Sequence, residues 1–114
     1  MTRHILLLYL ADRPQPGTPE GDELFEAIRA FYAECRDRGV LVASDPLLGP
    51  ETATSVRVRG GRRLTTDGPF AETTEWLGGY FILDCTTREE ALELAALCPT
   101  ALTGTVEVRE IMGR

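Results

Sequence analysis

Asp67, Glu72 and Glu75 stand close together in the segment Thr66-Asp67-Gly68-Pro69-Phe70-Ala71-Glu72-Thr73-Thr74-Glu75-Trp76-Leu77-Gly78-Gly79-Tyr80, with Trp76 and Tyr80 beside them. Acids grouped with aromatics can carry protons: an apolar wall and a neighbouring like charge both raise a carboxyl pKa, which makes a general acid or base. Asp67 and Glu72 are the candidate proton carriers. Gly68, Pro69, Phe70, Glu75, Trp76 and Tyr80 are the candidate ligand-binding neighbours, and Arg109 or an arginine of the 57–63 run would hold an anionic substrate. A second reading stands beside this one. Asp67 bonds local N–H groups, Pro69 fixes φ and Phe70 plugs the core, so that the segment is only a tight connection. Gly78-Gly79 likewise either admits a ligand against the backbone or marks a bulge where a strand begins. Trp76 either anchors the loop or lines a pocket wall.

Other chemistry finds no support in the residue spacing. His4 is the single histidine, and no CxxC or HxxH spacing exists, so no metal site is expected. His4 reads as an incidental residue of an edge strand. Cys35, Cys85 and Cys98 are odd in number and fall in or beside apolar runs, which makes them small buried hydrophobes rather than a disulfide framework. Ser44 and Ser55 lack a GxSxG elbow, and no glycine-rich nucleotide fingerprint occurs. The cofactor expectation is none.

The elements that must position these residues follow from periodicity. His4 to Leu10 is a continuous apolar strand, and Ala11 to Thr18 a loop with Pro14 and Pro16 that could cover a pocket. Thr18 caps a helix with Pro19 at its first position and Glu20, Asp22 and Glu23 at its positive end. Leu24, Phe25, Ile28, Phe31, Tyr32 and Cys35 form its apolar stripe, and Gly39 ends it. A short strand follows over Val40 to Ala43, then a loop holding Asp45. Ser55 to Arg59 alternates, and Gly60-Gly61 announces a hairpin. A three-residue loop of Gly60, Gly61 and Arg62 would pair Val58 with Leu64 and gather Arg57, Arg59 and Arg63 on one face. Tyr80 to Cys85 is a second apolar strand. Thr87-Arg88-Glu89-Glu90 opens a second helix, which Pro99 closes, and residues 103–111 supply the last strand.

The order β-α-β, hairpin, β-α-β gives an α+β ferredoxin-like sandwich, with two helices on one face of a mostly antiparallel sheet. At 114 residues, 43% hydrophobic and 26% charged, residues 1–114 form one ordinary globular domain. No apolar run is long enough for a membrane span or framed as a signal peptide, so a cytoplasmic address is expected. A net charge of −6 disfavours nucleic acid and anionic membranes as partners. The two apolar strands are greasy on both faces while helices cover only one, so a homodimer through the open sheet face is expected.

The run TDGPFAET at 66–73 followed by Glu75-Trp76-Leu77-Gly78-Gly79-Tyr80, the IxLLLY-like first strand, GVLVA at 39–43, and Cys98-Pro99 with VEVRxI beyond resemble the DGPF-motif branch of the YCII-related proteins. The resemblance covers nearly the whole chain. It implies a ferredoxin-like fold, sheet-to-sheet dimers with clefts at the interface, and proteins found beside extracytoplasmic-function sigma factors. Much of that branch carries a lysine where this chain has Thr74. The wider group is associated with a His–Asp pair for acid–base chemistry, including a dehydrochlorinating member; Asp45 stands near the group's aspartate, but no histidine occupies the first helix or the loop after it. Two functions follow: a dimeric binding or accessory module for a small anionic or aromatic molecule, or a cofactor-free lyase or isomerase using Asp67 or Glu72.

Overall fold

A computed structural model describes residues 1–12, 15 and 17–113. Strands β1 (Thr2–Leu10), β2 (Leu41–Pro46), β3 (Thr54–Arg59), β4 (Arg62–Asp67), β5 (Trp76–Cys85) and β6 (Thr105–Glu110) alternate with helices α1 (Pro19–Asp37), α2 (Arg88–Leu97) and the short α3 (Thr100–Thr103). The loop expected over 11–18 lies partly outside the described residues, at Arg13, Pro14 and Pro16. Four strands form one antiparallel sheet in the order β2-β5-β1-β6, while β3 and β4 pair only with each other. The mixed α and β class and the mostly antiparallel sheet are as expected from the sequence.

The helix ends follow their capping residues. Thr18 is extended and its hydroxyl accepts from the Gly21 amide at 3.1 Å, with Pro19 opening α1 and Gly39 taking a left-handed φ of 76° just past its end. Thr87 accepts from the Glu90 amide at 3.2 Å, and Glu90 reaches back to the amide of Thr86. Pro99 does more than close α2, because it caps the extra turn α3.

Residues opposite one another in the register share a sheet face. Leu6 faces Phe81 and His4 faces Leu83, and these sides are buried beneath Phe31 and Cys35 of α1 and Ala91, Leu94 and Ala95 of α2. Each fully buried Leu or Phe there contributes about 1.5–3 kcal/mol. On the other face Ile5 lies opposite Ile82, Leu7 opposite Tyr80 and Tyr9 opposite Leu77, and among the described residues no helix covers them. The molecule is accordingly flat, 47 × 43 × 19 Å, its least dimension the thickness of a helix layer on a sheet.

Two local expectations are corrected. The β3–β4 turn holds two residues, since Arg59 pairs with Arg62, Val58 with Arg63 and Arg57 with Leu64. Gly60 and Gly61 both take positive φ, 56° and 76°, which is the primed turn that matches strand twist and outweighs tidy apolar pairing on a ribbon exposed on both faces. Strand β2 runs on to Pro46, so Asp45 is a strand residue opposite Tyr80 and not part of a loop.

Candidate functional site

The N-terminal half of α1 stands off the sheet. Phe31 and Cys35 are buried, yet Phe25 and Tyr32 of the same stripe stay exposed and Leu24 and Ile28 only partly buried. The space beneath them is a cavity of about 340 Å³, walled by Leu24, Phe25, Ile28 and Tyr32 from α1 and by Leu8, Leu10 and Phe81 from the sheet. Its floor is low because β5 contributes Gly78 and Gly79 there. The β1–β5 register slips between Leu8 and Tyr9, so Gly78 is the bulged residue, and a Cβ on it would meet Leu10 Cδ1 at 2.5 Å. A Cβ on Gly79 would sit 3.1 Å from the Asp45 carbonyl oxygen. Both glycines therefore hold β1, β2 and β5 in close approach and leave the cavity unfilled.

Polar groups around this space are few. Ser44 and Thr100 line it, and the Thr100 hydroxyl is buried without a nitrogen or oxygen partner, its polar neighbour being the Cys98 thiol. Arg29 stands at the rim in an exposed ion pair with Glu26 at 3.9 Å. Asp45 and Tyr80 also border the cavity, while the register puts their side chains with Leu7 on the open face. They thus mark the end of the sheet where cavity and open face meet. The Tyr80 hydroxyl donates to Asp45 Oδ2 at 2.8 Å, and this bond, with desolvation and the aspartate charge, pushes the phenol above its usual pKa. A second cavity of about 440 Å³ adjoins the first along Leu10, Leu24 and Phe25 and extends past Trp76, Leu47 and Leu48.

The space is apolar, and few polar groups converge on it. The YCII-related domain model matches residues 5–113. The chain belongs to the YCII-related family. It is also similar to an uncharacterized protein of Rhizobium meliloti (strain 1021), 32% identical over 94 residues that span 81% of this chain and 76% of the relative.

In this YCII-related chain the residues singled out by sequence fall into separate groups. Trp76 opens β5 and lines the second cavity, and Tyr80 and Asp45 meet at the first. Arg109 lies opposite Ile5, an exposed cation on the open face. Asp67 ends β4 opposite Thr54, and it and Glu72 are exposed and line none of the cavities under α1. Gly68 is held at the base of the β3–β4 hairpin, its amide donating to the Ala53 carbonyl at 2.7 Å and its carbonyl accepting from Ser55 at 2.8 Å. Phe70 is not a core plug: it is 82% exposed, and Pro69 and Glu72 around it are exposed too, the chain passing Gly68 at φ 101°. Glu75 is partly buried.

His4 is likewise not on an edge. Strand β1 lies between β5 and β6, and His4 is 1% exposed with neither ring nitrogen hydrogen bonded, Nε2 standing 3.9 Å from a Glu110 oxygen. The three cysteines are free and buried, as expected, and burial pushes the Cys35 and Cys85 thiols up to about 11. Among the described residues no group of His, Cys, Asp and Glu is arranged to hold a metal ion, and no helix is long and apolar enough to cross a membrane.

Sequence reasoning missed Leu8, Leu10, Leu24, Phe25, Ile28 and Thr100 as cavity walls. A signal was present: α1 carries a wide stripe of large side chains opposite a strand segment, Gly78-Gly79, that offers none.

Proposed function

We propose that this protein is a dimeric small-molecule-binding protein with an accessory or regulatory role, and that the cavity beneath α1 is its ligand site. The observation that carries the reading is the cavity itself. Its volume of about 340 Å³ lies in the range of ligand pockets, its walls are apolar, and the buried Thr100 hydroxyl has no nitrogen or oxygen partner of its own. A small aromatic or anionic molecule fits such a lining, the rim cation Arg29 serving an anionic group.

The dimer reading rests on the uncovered pairs Ile5–Ile82 and Leu7–Tyr80, which would be wet in a single chain. A second copy over that face would bring Asp45, Tyr80 and Arg109 to the interface. The strand order β2-β5-β1-β6 and the helices on one face support a ferredoxin-like sandwich, and the 66–73 run supports placement in the DGPF branch. The acidic charge favours neither nucleic acid nor anionic membrane as partner, and a cytoplasmic setting fits three free thiols.

The catalytic alternative, a cofactor-free lyase or isomerase using Asp67 or Glu72 with Gly68, Pro69, Phe70 and Glu75 around the substrate, asks more. Both carboxylates are exposed, so a second copy would have to enclose the loop around a substrate. Asp67→Asn and Glu72→Gln then leave ligand affinity unchanged in the binding reading and abolish turnover in the catalytic one.

The binding reading is tested with the aromatic anion 1-anilinonaphthalene-8-sulfonate. The wild-type chain is expected to take up one probe per chain with a saturable rise in fluorescence. Leu24 borders both cavities, and Leu24→Trp should fill the space and weaken uptake at least tenfold. Equal uptake by Leu24→Trp would overturn the assignment of the site.

A further inference from the structure

The β3–β4 hairpin carries features that neither the cavity nor the open sheet face explains. It is a two-stranded sheet bonded to no other strand, and an isolated two-stranded hairpin is marginal in water. Its apolar side chains are bare on both faces, Val56 at 59% and Val58 at 61% exposed, with Leu64 behind them. The chain's radius of gyration, 15.9 Å, exceeds the roughly 13 Å of a compact domain this long, consistent with a projecting arm.

The charges are more telling. The two-residue turn sets Arg59 directly opposite Arg62 and brings Arg57 onto the same face. Like charges so placed repel unless an acidic surface faces them. No ion pair among the described residues engages Arg57, Arg59, Arg62 or Arg63. Of the chain's 12 basic and 18 acidic side chains, four arginines and one aspartate lie in residues 54–67, leaving eight against seventeen on the rest of the molecule. The arm is basic and the body strongly acidic.

We infer that the hairpin is a clasp that docks its arginine face, Arg57, Arg59 and Arg62, on the acidic body of a second copy of this chain. The inference rests on the dimer reading and adds a second contact to it. The clasp neutralises the opposed arginines, covers Leu64 on the same face, and gives the hairpin the partner surface it lacks within its own chain.

The test compares wild type with Arg57→Glu/Arg59→Glu/Arg62→Glu by sedimentation equilibrium at low and high salt, with amide exchange of residues 54–67 followed in the wild type. The arm lies outside the core, so the charge reversal leaves the fold intact. The dimer dissociation constant is expected to rise roughly tenfold or more at low salt, with the difference shrinking as salt screens the contact. Arm amides should exchange slowly in the concentrated dimer and fast on dilution to monomer. A wild-type chain that stays monomeric when concentrated would remove the dimer reading and the clasp with it. A wild-type dimer whose dissociation constant is unmoved by the reversal, or whose arm amides exchange as freely as in the monomer, would overturn the clasp alone.

Discussion

Phe81 joins the core to the cavity beneath α1, and the Phe31 ring fixes its position. The two ring centroids are 4.9 Å apart with planes at 68°, an edge-to-face contact between residues 4% and 2% exposed. Such a pair contributes about 0.5–1.5 kcal/mol beyond the area it buries. Phe81→Leu keeps much of the volume but loses the ring contact and packs imperfectly, so it is expected to cost about 1–3 kcal/mol. Phe31→Leu should cost a similar amount. The double variant should lose less than the sum, by a coupling of about 0.5–1.5 kcal/mol. Against a total of about 5–15 kcal/mol for a domain of this kind, all three variants remain folded and measurable by urea titration. Phe81→Leu should also widen the cavity without abolishing probe uptake, since Leu8, Leu10, Leu24 and Ile28 remain as walls. Additivity of the two single effects within about 0.3 kcal/mol would show that the rings do not meet edge to face, and the cavity wall as described would be wrong.

Two titrations check the electrostatics. Burial first, and for Cys35 the neighbouring Cys98 next, hold Cys35 and Cys85 near 11 against an ordinary 9. The folded chain should therefore resist a thiol reagent at pH 8 and release all three thiols on unfolding. Because the folded pKa exceeds the unfolded one, this contribution to stability is whole below pH 9 and is lost as pH rises toward about 11. Tyr80 is raised in the same sense by its bond to Asp45, so its stabilising effect is present below pH 10 and fades above the raised value. Ultraviolet titration of wild type, Tyr80→Phe and Asp45→Ala should assign a late phenolate to Tyr80 and move it back toward 10 in Asp45→Ala. An unchanged titration in Asp45→Ala would remove the hydrogen bond as its cause.

The elements were legible wherever local chemistry is decisive. Thr18 with Pro19, Thr87 with Glu90, Gly39 and the uninterrupted apolar runs of β1 and β5 each specify their structure through near neighbours. The two-sided greasiness of those strands also foretold a sheet face that no helix among the described residues covers. What failed depended on contacts across the fold. Val58 and Leu64 invited a bulged turn by apolar pairing, but that incentive vanishes on an arm with no buried side, and Gly60-Gly61 took the turn its backbone prefers. His4 looked peripheral because strand order is invisible in a single sequence. Phe25 and Tyr32 fit a core stripe equally well whether α1 touches the sheet or stands off it. Only the absence of side chains at Gly78 and Gly79, which lie far along the chain, separates those cases.

The proposed ligand site beneath α1 is tested most directly by methyl NMR during titration with 1-anilinonaphthalene-8-sulfonate. Shifts should appear at Leu8, Leu10, Leu24 and Ile28, which line the cavity, and leave Ile5, Leu7 and Ile82 on the opposite sheet face unmoved. Shifts concentrated at Ile5, Leu7 and Ile82, with the cavity methyls silent, would contradict it.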